Sequence, residues 1–77
     1  FQGSPKKLIE IGTQVLEGDL AEDLEKALEN WPEVAIGSYP QERGAKFRVK
    51  ISVEGLNAEI VEAASLWLLP KIGGTRL

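Results

Sequence analysis

The stretch Ala45–Glu54, which reads AKFRVKISVE, alternates strictly between polar and apolar residues. One parity carries the large apolar side chains: Phe47, Val49, Ile51 and Val53. Because successive side chains of a β-strand point to opposite faces, this pattern predicts a long strand with one apolar and one solvated face. Such a strand is expected in an antiparallel sheet that is covered on one side only.

The preceding segment reads VAIGSYP and is predicted to be a short strand, Val34–Ile36, followed by a turn, Gly37–Pro40. Glycine adopts backbone conformations closed to other residues, and proline stiffens the exit of a turn. In this interpretation the ring of Tyr39 lies against the edge of the sheet. The loop Gln41–Gly44 then leads into the long strand.

Another strand and a helix are predicted before this hairpin. Lys7–Thr13 is an apolar-rich strand. A helix is expected to begin at Asp19, whose carboxylate can cap free backbone N–H groups, and Glu22 three residues later completes a capping-box pattern. Apolar residues then recur every three or four positions until Trp31, where Pro32 ends the helix.

After the long strand, Asn57 is predicted to cap a second helix that runs from Ala58 to about Leu69. The element order is then β-α-β-β-α. Since the amphipathic helices must cover the apolar face of the sheet, we expect an α+β two-layer sandwich with both helices on one face. The predicted sheet has three antiparallel strands in the order 1-3-2, which leaves an edge of Lys7–Thr13 open.

Length and composition exclude several classes of protein. With 77 residues the chain is one small domain, and a deep enclosed active site is hard to build in so small a body. Phe1–Ser4 resembles the remnant of a cleavable expression tag, so residues 5–77 are interpreted as a single domain excised from a larger protein. The chain contains no cysteine or histidine, which argues against disulfides and a zinc site.

The chain is acidic, with a net charge of −3, which argues against general binding to nucleic acid. It has no apolar run of about 20 residues and no signal peptide, so we expect a cytoplasmic protein without a membrane partner. Without histidine or cysteine, nucleophilic catalysis would need an activated serine or threonine, and no serine has a suitable partner nearby in the sequence. We therefore predict no catalytic residue, no metal ligand and no cofactor in this chain.

The strongest candidates for binding are Lys46, Arg48 and Lys50, which share the polar parity of the long strand. A basic stripe opposite the helices could meet phosphates or an acidic neighbouring domain, although a merely solvated face is the simpler explanation. The polar side of this strand offers no aromatic residue for base stacking, and no segment supplies a GXXG loop. Ser38 and Tyr39 form a second candidate contact, for which a purely structural role in the turn is favoured.

The string Ile36–Pro40, IGSYP, after an acidic amphipathic helix resembles the small KH-like domain of the competence/damage-inducible CinA family. That domain is also found in eukaryotic FAD synthetases, beside a molybdopterin-binding-like domain. The resemblance extends from Lys7 to Ile72. It implies that the chemistry of the parent protein, such as nucleotide pyrophosphate hydrolysis, pyridine-nucleotide deamidation or FAD synthesis, takes place in neighbouring domains.

The expected function is a non-catalytic interdomain or oligomerisation module of a CinA-like or FAD-synthetase-like protein of nucleotide metabolism. Its partners would be neighbouring domains, or a second copy bound through the open edge of the first strand. Two alternatives stay open. One is a degenerate KH-type nucleic-acid-binding module, and the other is a nucleotide subsite lent to an adjoining catalytic domain, with Ser38, Tyr39 or Arg48 as contacts.

Overall fold

The computed structural model describes residues 6–77 and shows an α+β fold with two helices and a four-stranded sheet. Along the chain the elements are β1 (Lys7–Thr13), α1 (Glu17–Asn30), β2 (Ala35–Pro40), β3 (Val49–Gly55), α2 (Ala58–Lys71) and β4 (Thr75–Arg76). The predicted fold class is confirmed. The proposed tag remnant, Phe1–Ser4, lies outside the described residues.

The strands are ordered β2-β3-β1-β4, and each neighbouring pair is antiparallel. As predicted, β3 lies between β1 and β2. The prediction missed β4, which pairs with Ile11 and Gly12 of β1. The N–H of Leu77 continues this pairing by donating to the carbonyl of Glu10 at 2.9 Å. The prediction of an open β1 edge is therefore wrong along these residues, because a strand of only two residues is too short to show periodicity.

The core lies between the sheet and the helices, and the central strand β3 contributes every second side chain to it. Ile51 is fully buried at the middle of β3, opposite Ile11 of β1. The predicted inward parity is thus confirmed from Val49 to Val53. The buried apolar side chains are Ile9, Ile11, Leu20, Ala27, Val34, Val49, Ile51, Val53, Val61, Ala64, Leu68 and Ile72.

Phe47 does not join this core, contrary to the prediction. Strand β3 begins at Val49, and residues 41–48 form a loop with a bend at Arg48. The Phe47 ring lies over the other side of the sheet, where a Cβ atom at Gly12 would be only 2.4 Å from its Cδ2 atom. Alternation in a sequence does not reveal where a strand begins, so the parity was extended too far toward the N-terminus.

The segment predicted as a turn, Gly37–Pro40, belongs to β2. Gly37 does not have a positive φ; among the described glycines only Gly44 and Gly73 do. Proline is tolerated here because β2 is an outermost strand. The N–H of Gln41 donates to the carbonyl of Arg48 at 2.8 Å, so the intervening nitrogen of Pro40 faces away from β3.

Helix α1 begins earlier than predicted. Its first residue is Glu17 and its N-cap is Leu16, which makes no side-chain hydrogen bond to the helix. Asp19 therefore lies in the first turn, where its N–H donates to the Leu16 carbonyl at 2.9 Å. The predicted capping box with Glu22 is wrong, and Asp19 instead places a negative charge near the positive end of the helix dipole.

Helix α2 begins as predicted, with the Oδ1 atom of Asn57 accepting hydrogen bonds from two backbone N–H groups of the first turn. It continues beyond the predicted end, with Pro70 inside its last turn. Gly73 then adopts a left-handed conformation with φ of 57°. This lets the N–H of Gly74 bond to the Leu69 carbonyl at 2.9 Å, which satisfies an end group of the helix.

Replacing Asn57 with alanine is expected to lower the free energy of unfolding by about 0.5–2 kcal/mol, because the two capped N–H groups lose their acceptor. Urea denaturation followed by tryptophan fluorescence measures this change. Asn57→Asp is the matched control, since aspartate caps about as well as asparagine. An equal loss of stability in both variants would contradict the capping role.

Helix α2 is tied to the β1–β4 edge of the sheet by polar contacts. The guanidinium of Arg76 donates to both carboxylate oxygens of Glu62 at 2.8 and 2.9 Å. These hydrogen bonds hold the pKa of Glu62 below its ordinary value, against a smaller opposing effect of desolvation, and Lys7 adds a weaker attraction. In the interior, the hydroxyl of Thr13 donates to the Ile72 carbonyl at 2.7 Å.

The two tryptophans join the helices at the margin of the core. Trp31 and Trp67 meet edge to face, with ring centroids 5.9 Å apart. Both are half-buried and pack against the core. The Nζ atom of Lys71 lies 5.0 Å from the Trp67 ring centroid, so the exposed side of that ring is partly covered by a cation.

Candidate functional site

The side of the sheet that faces away from the helices is called the outer face below. The strand registers place a mixed set of side chains and glycines there: Leu8, Glu10, Gly12, Ala35, Gly37, Tyr39, Lys50, Ser52 and Glu54. This face lacks the buried apolar row of the opposite side. It is the solvated face that the alternation in β3 predicts.

Aromatic rings cover two glycines of the outer face. Tyr39, which is 54% exposed, lies over Gly37, whose added Cβ atom would be 2.8 Å from the tyrosine hydroxyl. Phe47 lies in the same way over Gly12. The polar side of β3 itself carries no aromatic residue, as predicted, but the loop and β2 supply two rings. Gly12, a glycine inside the predicted strand Lys7–Thr13, was the sequence signal for one of these contacts, since such positions often admit a close neighbour.

The three predicted basic residues do not form one stripe. Lys50 lies on the outer face of β3, with its Nζ 3.9 Å from a carboxylate oxygen of Glu10. Lys46 lies in the loop, with its Nζ 5.6 Å from the Phe47 ring centroid. Arg48 is exposed at the bend before β3. The predicted alignment along a single strand is wrong for Lys46 and Arg48, because the strand begins after them.

Ser38 and Tyr39 face opposite sides of the sheet. Ser38 pairs in register with Ile51, a core residue, and Tyr39 pairs with Lys50 on the outer face. A single ligand on one face of the sheet therefore cannot contact both side chains. This separates the two members of the second predicted contact.

A groove of about 660 Å³ lies where the β2–β3 loop meets the connector from β1 to α1. We call it the loop groove, and its lining is Gln14, Leu16, Pro40, Gln41, Glu42, Arg43, Gly44, Ala45, Phe47, Arg48 and Val49. It combines cations, amides and apolar surface, which suits an anion that carries a flat apolar part. Sequence reasoning found Arg48 but missed Arg43, Gln14 and the position of Phe47, because the loop brings together residues that share no periodicity.

A second surface lies on the exposed side of α2. Its apolar members are Ala58, Ala63 and Leu66, and Leu66 is 61% exposed. We call these residues the α2 surface; the charged side chains of Lys7, Glu59 and Glu62 line the same shallow depression of about 380 Å³. A helix whose apolar residues continue round to its solvent side is typical of one that is covered on more than one side.

Within residues 6–77, no group of three or more histidine, cysteine, aspartate or glutamate side chains is placed to hold a metal ion. No helix in the described part of the chain is long and apolar enough to cross a membrane. The predictions of a non-catalytic domain and of a cytoplasmic location stay predictions.

The family model described as "FAD synthase, middle domain" matches residues 7–76, which is nearly the whole chain. This confirms the resemblance to the domain of FAD synthetases that the IGSYP string indicated. The wider relation to CinA and to KH-like domains stays a prediction. No curated protein and no solved structure matches this chain.

Proposed function

Because the chain belongs to the family of FAD synthase middle domains, we propose that it is a non-catalytic accessory module that docks against a neighbouring domain through the α2 surface. The observation that carries this proposal is Leu66, a leucine 61% exposed in the middle of a helix that already buries its opposite side. A middle domain has neighbours on the same polypeptide, and these are the occupants we propose. The parent protein would then be one of FAD synthesis.

The composition of the α2 surface supports a protein partner. Its apolar centre of Ala58, Ala63 and Leu66 is lined by charged groups, which resembles the apolar core and polar rim of protein interfaces. Glu62 is already engaged by Arg76 and Lys7, so this part of the rim needs no new counter-charge when it is covered. Docking would bury apolar area without leaving that carboxylate unpaired.

Replacing Leu66 with glutamate is expected to lower the melting temperature of the parent FAD-synthesis protein. The same substitution should change the melting temperature of the 77-residue chain little. Substitutions at exposed positions of an isolated domain usually change stability by less than about 0.5 kcal/mol. In the parent, the new carboxylate would be buried without a partner, which is costly. Calorimetry of both proteins measures the difference.

The matched control is Leu56→Glu, since Leu56 is 70% exposed in the turn before α2 and lies outside the α2 surface. Hydroxyl-radical labelling gives an independent readout, because it reports the exposure of a side chain directly. We expect Leu66 to be labelled more slowly in the parent than in the 77-residue chain. Equal labelling in both proteins, together with equal effects of L66E and L56E, would refute docking through this surface.

A further inference from the structure

We propose that the loop groove binds a nucleotide, with the aromatic base against Phe47 and the phosphates held by Arg43 and Arg48. The groove and the α2 surface share no lining residue, so this inference is independent of the docking proposed above.

Arg43 and Arg48 both line the groove, and within residues 6–77 neither guanidinium makes a hydrogen bond or an ion pair. Arg43 is carried on a tight turn, in which the N–H of Ala45 donates to the Glu42 carbonyl at 3.0 Å. A guanidinium presents a planar fork of donors that matches phosphate oxygens, so two unengaged ones at one groove favour a phosphorylated ligand.

The ring is supported from the sheet. Phe47 is half-buried and lies directly over the backbone of Gly12, which leaves no room for a side chain beneath it. The Lys46 ammonium lies 5.6 Å from the ring centroid, and because Lys46 is exposed, its flexible side chain can move aside when a base stacks on the ring. An aromatic ring held in this way is a stacking surface for a planar base, and stacking tolerates any base.

Hydrogen bonds fix the walls of the groove. The side-chain amide of Gln14 donates to the Lys46 carbonyl, which links the β1–α1 connector to the loop. The amide of Gln41 donates to the Tyr39 carbonyl at 2.8 Å. Both amides keep a carbonyl oxygen that can accept from an amino group of a base or from a ribose hydroxyl. The groove is therefore partly ordered before a ligand enters.

Size and charge favour a single nucleotide over a nucleic-acid strand. The volume of about 660 Å³ falls in the range of small-molecule sites. A strand would need many lysines and arginines along its backbone, whereas the chain has a net charge of −3 and the groove has two arginines and one opposing carboxylate, Glu42. One or two phosphates are what this site can neutralise.

Titration of the ¹⁵N-labelled 77-residue chain with ADP, followed by NMR, tests the proposal. We expect the largest shift changes at the backbone amides of the loop groove, from Gln41 to Arg48 and at Gln14. The double variant R43Q/R48Q should weaken ADP binding at least about tenfold, because each removed guanidinium takes charge-assisted hydrogen bonds with it. The control K6Q/K26Q removes the same charge from exposed lysines outside the groove and should bind as the wild type does.

Two further ligands make the result decisive. Inorganic phosphate should bind more weakly than ADP, and Phe47→Leu should reduce the affinity for ADP while leaving that for phosphate unchanged. Equal affinities for phosphate and ADP would overturn the nucleotide assignment, since the base would contribute nothing. The proposal would also be overturned by chemical-shift changes outside the groove, or by no change at ~5 mM ADP, because a Kd above that concentration is too weak for specific recognition. Tighter binding of an RNA oligonucleotide at the same residues would overturn it as well.

Discussion

Replacing Ile51 with alanine is expected to lower the free energy of unfolding by about 2–5 kcal/mol. Ile51 has no exposed surface and lies at the middle of the central strand, with β1 and β2 on either side. The cavity left by the lost atoms cannot collapse easily, because the neighbouring strands are fixed by their hydrogen bonds. For a chain of this length the whole stability is about 4–12 kcal/mol, so a large share would be lost.

Urea denaturation followed by the fluorescence of Trp31 and Trp67 measures this loss, since both rings pack against the core. Ile51→Val should cost only about 0.5–1.5 kcal/mol, because it removes a single methylene. Leu8→Ala is the surface control, and with Leu8 51% exposed on the outer face it should change stability by less than about 0.5 kcal/mol. A loss at Ile51 no larger than that at Leu8 would refute the position of the core.

Replacing Gly12 with alanine is expected to destabilise the domain by about 1–3 kcal/mol, although alanine is normally the better residue inside a strand. The added Cβ atom would lie 2.4–2.6 Å from three ring atoms of Phe47. Since real carbon atoms do not approach so closely, the ring must leave its position or the strand must shift. The same change should disturb the loop groove, because Phe47 lines it.

A double-mutant cycle with Phe47→Ala isolates this contact. Once the ring is removed, Gly12→Ala should be neutral or stabilising by up to about 1 kcal/mol, because glycine loses more backbone entropy on folding. The sign of the alanine effect should thus reverse between the two backgrounds, as measured by urea denaturation. Additive effects of the two substitutions would show that Phe47 does not lie over Gly12.

The sequence was sufficient where a strong periodic signal met burial on one side. Val49, Ile51 and Val53 were placed correctly, because a register slip would expose all of them to water. The start of the strand was not predictable in the same way. The alternation of polar and apolar residues continues toward the N-terminus as far as Phe47, yet the chain bends at Arg48. No residue type near Arg48 predicts that bend.

The prediction of a turn at Gly37–Pro40 was wrong for a different reason. Glycine and proline are common in turns, but both also fit an outermost strand. Pro40 is tolerated there because its nitrogen faces away from β3, and Gly37 is covered by the Tyr39 ring. A choice between turn and edge strand depends on the position of the strand in the sheet, which is tertiary information.

The candidate site was predictable only in part. Arg48 was identified from charge alone, and its place at the loop groove is consistent with binding a phosphate. Arg43 and Gln14 were not predicted, because they are 29 positions apart in the sequence and line the same groove only when the β2–β3 loop folds back to the end of β1. The grouping of Ser38 with Tyr39 in one contact was wrong, since neighbouring side chains along a strand point to opposite faces of the sheet.

Strand β4 runs antiparallel to β1, and at Leu77 the chain is heading back toward the level of Lys7. Polypeptide attached at both ends would therefore emerge from the same corner of the sheet. Tension applied to both attachments would break the few hydrogen bonds between β4 and β1 one after another. Strand β3 would carry load only after those bonds had broken. The domain would therefore open first at the β1–β4 pair, with loss of the Arg76–Glu62 ion pair, before its core unfolded.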